Sequence, residues 1–228
     1  LCRNSKVCFF CNKAYYYLKC GGMYQVKTLE EKSRESYNLK ADNYDDTPEG
    51  RFTLKFKELL LDEIKVETNN SILDVACGNA AFLQMLANKY NFKGYGVDIS
   101  ERMIENAKKR CADMTFEISS CEHTPFKNEM FDVVTVCAAY HHFPDTRKFA
   151  MEMHRILKPG GFLYIAELYY PFILRAIFNP FIPLSKSGDV KIYSPREIQS
   201  NFEKYGFERM NFKKEEHIQI IELRRIYS

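Results

Sequence analysis

Nowhere is this chain apolar for the roughly 20 consecutive residues that a bilayer-spanning helix needs, so no such helix is expected. Charge of one sign is lacking too. The 33 Lys and Arg and 30 Asp and Glu leave a net charge of +3, too little to argue for a nucleic acid or a membrane surface as partner. The first residues show no clean apolar segment after a basic start, so a secretory signal is not expected. Eight cysteines occur, yet Cys77, Cys111, Cys121 and Cys137 are scattered and form no disulfide framework, which points to reduced thiols and a cytoplasmic protein. No repeat or low-complexity tract is visible. At 228 residues and 46% hydrophobic, the chain can bury one sizeable core.

What is there is organised around residues 71–100. Ile72-Leu73-Asp74-Val75-Ala76 reads as a short buried strand, followed by a small-residue turn, Ala76-Cys77-Gly78-Asn79-Ala80. Leu83, Leu86, Ala87 and Tyr90 then share a helical face, and Gly94-Tyr95-Gly96-Val97 forms a second strand ending in Asp98. Strand, close turn, helix, strand and acid make half of a dinucleotide-type fold.

Charge narrows the ligand. A pyrophosphate turn wants bare backbone N–H groups and no carboxylate nearby, and the turn does not spell Gly-x-Gly-x-x-Gly. Asp74 would repel a phosphate but would welcome a nucleoside carrying a cationic amino-acid tail. Asp98, at the tip of the second strand, is placed to accept ribose hydroxyls. S-adenosylmethionine (SAM) suits both acids; NAD suits only the second.

Leu73-Asp74-Val75-Ala76-Cys77-Gly78-Asn79-Ala80 resembles the first motif of the class I SAM-dependent methyltransferases, and in particular the small group that includes the ubiquinone and menaquinone methyltransferases. Two of the motif's glycines are alanine here. At a negative φ the extra methyl of Ala80 would cost little. Ala41-Asp42-Asn43-Tyr44-Asp45 resembles the family's leading segment, which folds over the cofactor mouth, and Lys158-Pro159-Gly160-Gly161 matches another hallmark. The resemblance covers about residues 35–225. It implies a Rossmann-like, doubly wound α/β fold with a mostly parallel seven-stranded sheet and an antiparallel last strand. It implies cofactor contacts at Tyr44, Asp74, Ala76, Gly78, Asp98, Ile99, Met103, Ser120, Cys121 and Cys137, with Ser120 standing where an Asp usually accepts from the adenine.

The remaining elements follow in order. Thr47-Pro48 caps a helix carrying Phe52, Phe56, Leu59, Leu60 and Ile64; Ser100 caps another whose last turn is basic. Met114–Ile118 and Phe131–Cys137 read as strands, and Phe149 to Leu157 as a helix that Lys158-Pro159-Gly160-Gly161 closes. A strand at Phe162–Ala166 comes next. Ser194-Pro195-Arg196-Glu197 is a capping box, and two terminal strands, Phe207 to Phe212 and His217 to Leu223, complete the fold. Ala138-Ala139-Tyr140-His141-His142 leaves the carboxyl end of a central strand, where open α/β sheets bind ligands. Tyr140, His141 and His142 are therefore the candidate catalytic residues, needed as a base only if the acceptor loses a proton.

Residues 168–193 carry Pro171, Pro180 and Pro183 among many apolar side chains, which suggests a lid over the acceptor. Residues 1–29 stand apart, with Cys2, Cys8, Cys11 and Cys20, five basic residues and no acid before Glu30. Those cysteines offer four thiolates for zinc but no second close pair. The segment is expected to lie outside the fold, either disordered or not natively translated, and no metal site is expected. The function so implied is methyl transfer from SAM to a small, apolar or aromatic molecule, without nucleic acid or membrane insertion. Two alternatives are an RNA methyltransferase gripping its substrate with the basic start, and a non-catalytic SAM-binding protein.

Overall fold

A computed structural model describes the backbone at Tyr16–Lys19, Gly22–Gln25 and residues 27–227, with side chains from Lys27 onward. The four N-terminal cysteines lie outside the described residues, so the zinc reading does too. Within 1–29, β1 (Tyr16–Lys19) and β2 (Gly22–Gln25) pair as an antiparallel hairpin that forms a sheet of its own, separate from the seven-stranded one.

Helix α1 (Leu29–Lys40) starts from a capping box between Thr28 and Glu31 and runs into a 3₁₀ segment, Ala41–Asp46. Helix α2 (Pro48–Glu63) starts where Thr47 accepts from the Gly50 N–H. The alternation then begins: β3 (Ser71–Val75), α3 (Ala81–Ala87), β4 (Lys93–Asp98), α4 (Glu101–Arg110), β5 (Thr115–Ile118), β6 (Phe131–Cys137), α5 (Thr146–Ile156) and β7 (Leu157–Leu168). Helices α6 (Phe172–Phe178) and α7 (Pro195–Glu203) precede the final strands β8 (Phe207–Glu215) and β9 (Ile218–Arg225).

Seven strands form one sheet in the order β5-β4-β3-β6-β7-β9-β8. All pairings from β5 to β7 are parallel, and β9 runs antiparallel to both β7 and β8. Alternation along the strands sends side chains to two cores. Leu73, Val134, Leu163 and Ile221 meet Phe149 and Met153 of α5 and Ile198 and Phe202 of α7. Ile72, Val133, Tyr164 and Ile220 meet Phe56 and Leu60 of α2, Leu83 and Leu86 of α3 and Ile104 of α4. The chain steps outward from β3 to β5, then returns to β6 on the other side of β3. The strand order thus reverses between β3 and β6, and a crevice opens at their carboxyl ends.

Two segments differ from expectation. Lys158-Pro159-Gly160-Gly161 lies inside β7 rather than in a turn: Leu157 pairs with Phe131, the register breaks, and pairing resumes at Phe162 with Val133. Helix α5 ends one residue earlier than its apolar stripe suggests because Leu157 already belongs to the strand. Residues 168–193 form α6 and a short 3₁₀ turn at Ile182–Leu184, and no side chain of either is buried. No helix among the described residues is long and apolar enough to cross a membrane.

Candidate active site

A cavity open to solvent, with about 860 Å³ of empty space counted to its mouth and beyond, occupies the crevice at the carboxyl ends of β3, β4 and β6. Ten residues expected at a cofactor or catalytic site line it: Tyr44, Ala76, Gly78, Asp98, Ile99, Met103, Ser120, Cys121, Cys137 and His142. Asp74, Tyr140 and His141 do not. None of residues 168–193 lines it either, and Phe172, Ile173, Ile177, Phe178, Phe181 and Leu184 of that segment are exposed.

The turn after β3 shapes one wall. Ala76, Gly78 and Ala80 have φ of 56°, 53° and 62°. Both alanines therefore adopt the left-handed backbone that favours glycine, so the condition of a negative φ, under which the methyl of Ala80 would cost little, is not met. A Cβ built on Gly78 would meet nothing nearer than Met103 Sδ at 4.0 Å, so the space before this turn is open to a ligand. The Gly78 N–H donates to Asp98 Oδ2 and the Ser100 N–H to Oδ1, both at 2.8 Å, which aims the carboxylate along the wall. Burial pushes Asp98 up to about 6 against these hydrogen bonds. Asp74 lies deeper, its Oδ1 accepting from Thr135 Oγ1 at 2.7 Å; burial raises it to about 7. Its carboxylate sits behind the wall rather than on it.

The 3₁₀ segment is clipped across the turn. Asn79 Nδ2 donates to Asp45 Oδ1 at 2.9 Å, while Arg110 reaches Asn79 Oδ1 at 2.8 Å and Asp45 Oδ2 at 2.5 Å. Tyr44 is thereby held on the cavity wall, its ring centroid 5.9 Å from that of Tyr37. Asn38 of α1 accepts from the Ser100 hydroxyl at 2.6 Å, so α1 closes the same side.

The residues after β6 separate into three environments. Tyr140 is wholly buried among Phe143, Phe149, Tyr193 and Phe202 and touches Asn201; it is a core residue, not a catalytic one. His141 points away from the cavity, its Nδ1 2.8 Å from Glu167 Oε1. Burial opposes its charge, but Glu167, with Asp189 and Glu49 beyond it, holds the group above the ordinary histidine value. His142 alone of the three reaches the cavity, with Nε2 2.9 Å from the Tyr37 hydroxyl. Burial and the neighbouring His141 push it down to about 3. Tyr37, Glu167 and Asp189 are absent from the residues that spacing points to, because they come from α1, the end of β7 and the loop after α6.

The sequence and the fold find parallels among known proteins. A family described as "Methyltransferase domain" matches residues 73–165. The ubiquinone/menaquinone biosynthesis C-methyltransferase of Rickettsia felis is 30% identical over 177 residues, covering 64% of this chain and 71% of that protein. This chain is a class I SAM-dependent methyltransferase. The demethylmenaquinone methyltransferase of Thermotoga maritima is also 30% identical, over 170 residues, covering 64% of this chain and 74% of that protein. Among solved structures, the methyltransferase in complex with the Trm112 activator of Haloferax volcanii superposes with a TM-score of 0.75 at 19% identity, over 84% of this chain and 98% of that one. The geranyl diphosphate C-methyltransferase of Streptomyces coelicolor, solved with S-adenosyl-L-homocysteine, gives 0.70 at 13% identity, over 88% and 99%. These two likenesses speak to the fold. SAM is the methyltransferase's cofactor, and the open left-handed turn with an ionisable Asp98 beside it fits a ligand that brings hydroxyls and positive charge.

Proposed function

We propose that this methyltransferase transfers the SAM methyl group to a small, apolar or aromatic acceptor. The observation that carries the reading is one mostly apolar cavity with Asp98 on its wall at the end of β4 and His142 on its wall after β6. SAM supplies an activated methyl on a sulfonium. The chain's own part is alignment and exclusion of water, the chief requirements of an in-line displacement. Asp98 would hold the ribose, the turn from Ala76 to Ala80 would pass along the amino-acid part, and Ile99, Met103, Ser120 and Cys121 would surround the adenine. Tyr37, Tyr44, Cys137, Ala138 and Phe143 supply much of the apolar remainder of the cavity, where Thr53, Lys57 and His142 are polar side chains on the wall beside an acceptor. The quinone-type substrates printed in the relatives' names support an aromatic ring as acceptor.

Isothermal titration with SAM and NAD, followed by assay of S-adenosylhomocysteine release with a panel of hydroquinones and aliphatic alcohols, tests the reading. SAM binds, NAD does not, and aromatic acceptors turn over. Asp98→Ala loses roughly 1.5–3 kcal/mol of SAM affinity through the missing charge-assisted hydrogen bonds. Micromolar NAD binding without SAM heat would reverse the assignment, and SAM binding with no turnover on any acceptor would favour a non-catalytic role.

A further inference from the structure

Behind the cavity, His141, His142 and Asp189 present three ligand atoms within 4.8 Å of one another. Asp189 Oδ1 lies 3.1 Å from His142 Nδ1 and 3.5 Å from His141 Nε2. We propose that these three side chains form a binding site for a first-row divalent transition-metal ion, with Glu167 and Tyr37 orienting the two imidazoles.

The hydrogen bonds assign the lone pairs. The Tyr37 hydroxyl donates its only proton to Glu49 Oε1 at 2.7 Å, so at 2.9 Å from His142 Nε2 it accepts, and that nitrogen carries the proton. The lone pair of His142 is then on Nδ1. This atom is buried and has no hydrogen-bond partner, and the His142 side chain is only 10% exposed. His141 is arranged in the same sense: its Nδ1 faces Glu167 Oε1 at 2.8 Å, which turns Nε2 toward Asp189. Asp189 Oδ2 is occupied by the Ser187 hydroxyl at 2.7 Å, which leaves Oδ1 facing the histidines. With His141 neutral, three electron-rich atoms thus converge, and positive charge, from a metal ion between them or a proton on His141, offsets the repulsion.

A proton fits this gap poorly. The 3.5 Å separation from His141 is long for a hydrogen bond, and the 3.1 Å contact of His142 Nδ1 does not have the alignment of one. A metal ion fits it better. Two ligands each about 2.1 Å from one ion stand roughly 3.0–3.5 Å apart when they subtend near-octahedral to tetrahedral angles. The supports are also those of a metal centre. Metal-bound histidines nearly always donate their other ring N–H to a carboxylate or similar acceptor, as Glu167 and the Tyr37–Glu49 pair provide here. Two imidazoles and one carboxylate suit zinc, cobalt or iron(II) better than calcium or magnesium.

The loop that brings Asp189 is fixed by other contacts. Val190 N–H donates to the His141 carbonyl at 2.7 Å, and Asp189 N–H to Ser185 Oγ at 3.1 Å. Gly188 has φ of +77°, and a Cβ there would stand 2.2 Å from the Leu29 carbonyl oxygen, so only glycine lets this loop lie against α1.

The test is a Co²⁺ titration of the full chain after chelator treatment, without SAM or acceptor, so that its outcome is independent of the proposed reaction. Thiolates at the N-terminal cysteines would announce themselves by a sulfur-to-cobalt charge-transfer band, whereas the histidine–carboxylate site gives d–d bands alone. Wild type is expected to bind one such equivalent, and Asp189→Asn and His141→Ala to weaken it by about tenfold or more. Nitrogen NMR of histidine-labelled wild type supplies a readout that needs no variant: added Zn²⁺ shifts the His142 Nδ1 signal. Equal Co²⁺ binding by wild type and both variants overturns the proposal. So does an His142 Nδ1 signal that Zn²⁺ leaves unmoved, which would mean the histidines and Asp189 share a proton only.

Discussion

At the scale of single residues, the turn after β3 stores backbone strain that its sequence only half reveals. A left-handed conformation costs a non-glycine residue roughly 1–2 kcal/mol, and Ala76 and Ala80 both adopt it. Replacing either with glycine relieves that strain but raises the entropy of the unfolded chain, which takes back about 0.4–1 kcal/mol. Ala76→Gly and Ala80→Gly are each expected to gain about 0.5 kcal/mol in urea denaturation; a loss of stability would show that the turn relaxes to negative φ in solution. The two buried acids carry a pH dependence. Asp74 and Asp98 have folded pKa values near 7 and 6, above the unfolded 3.8, so the folded state binds more protons than the unfolded between those limits. Their contribution is present below about pH 4 and is lost as pH rises toward 7. The melting temperature of the free protein should therefore fall over that range, and Asp98→Asn should flatten the fall. A slope identical in wild type and Asp98→Asn would show that Asp98 ionises in the folded protein as it does in the unfolded chain. A cationic ligand favours the ionised carboxylates, so the stabilisation by SAM should grow over the same window.

Among the elements, three helix starts were legible because each begins with a side chain that satisfies its own first turn: Thr47, Ser100 and Ser194 cap α2, α4 and α7 as their spacing suggests. The cluster behind the cavity was not legible as a cluster. His141, Glu167 and Asp189 are brought together by tertiary pairing between distant segments, and Tyr140 shares its neighbours' local pattern while its surroundings are set by α5 and α7. Sequence spacing also could not say which way the apolar residues of 168–193 would face. Helix α6 spans seven residues, buries no side chain and is anchored to α7 by Arg175 on Glu197 at 2.7 Å. A helix so short is marginal by itself. Its amides should exchange with solvent far faster than those of β6, and protection equal to that strand would contradict this. Because none of its residues lines the cavity, Phe178→Ala with Phe181→Ala should leave SAM affinity within about twofold, roughly 0.4 kcal/mol. A larger loss would mean that α6 folds over the bound cofactor.

Across the whole molecule, the sheet was readable because two-sided burial demands near-continuous apolar strands, while helices facing only one core keep an apolar stripe and a charged back. The insertion of β9 between β7 and β8 follows from pairing alone and leaves no mark in local composition. One feature of the exterior has a bearing on how the protein behaves in bulk. Phe172, Phe181 and Leu184 are 76%, 65% and 77% exposed within a span of thirteen residues, on a molecule whose net charge is only +3. Long-range repulsion between copies is correspondingly weak, and the greasy face supplies a short-range attraction that added salt does not screen. The osmotic second virial coefficient should accordingly be low and should stay low, or fall, as salt is raised. Phe172→Ser with Phe181→Ser should lift it in static light scattering, whereas a coefficient unchanged by these substitutions would place the attraction elsewhere on the surface.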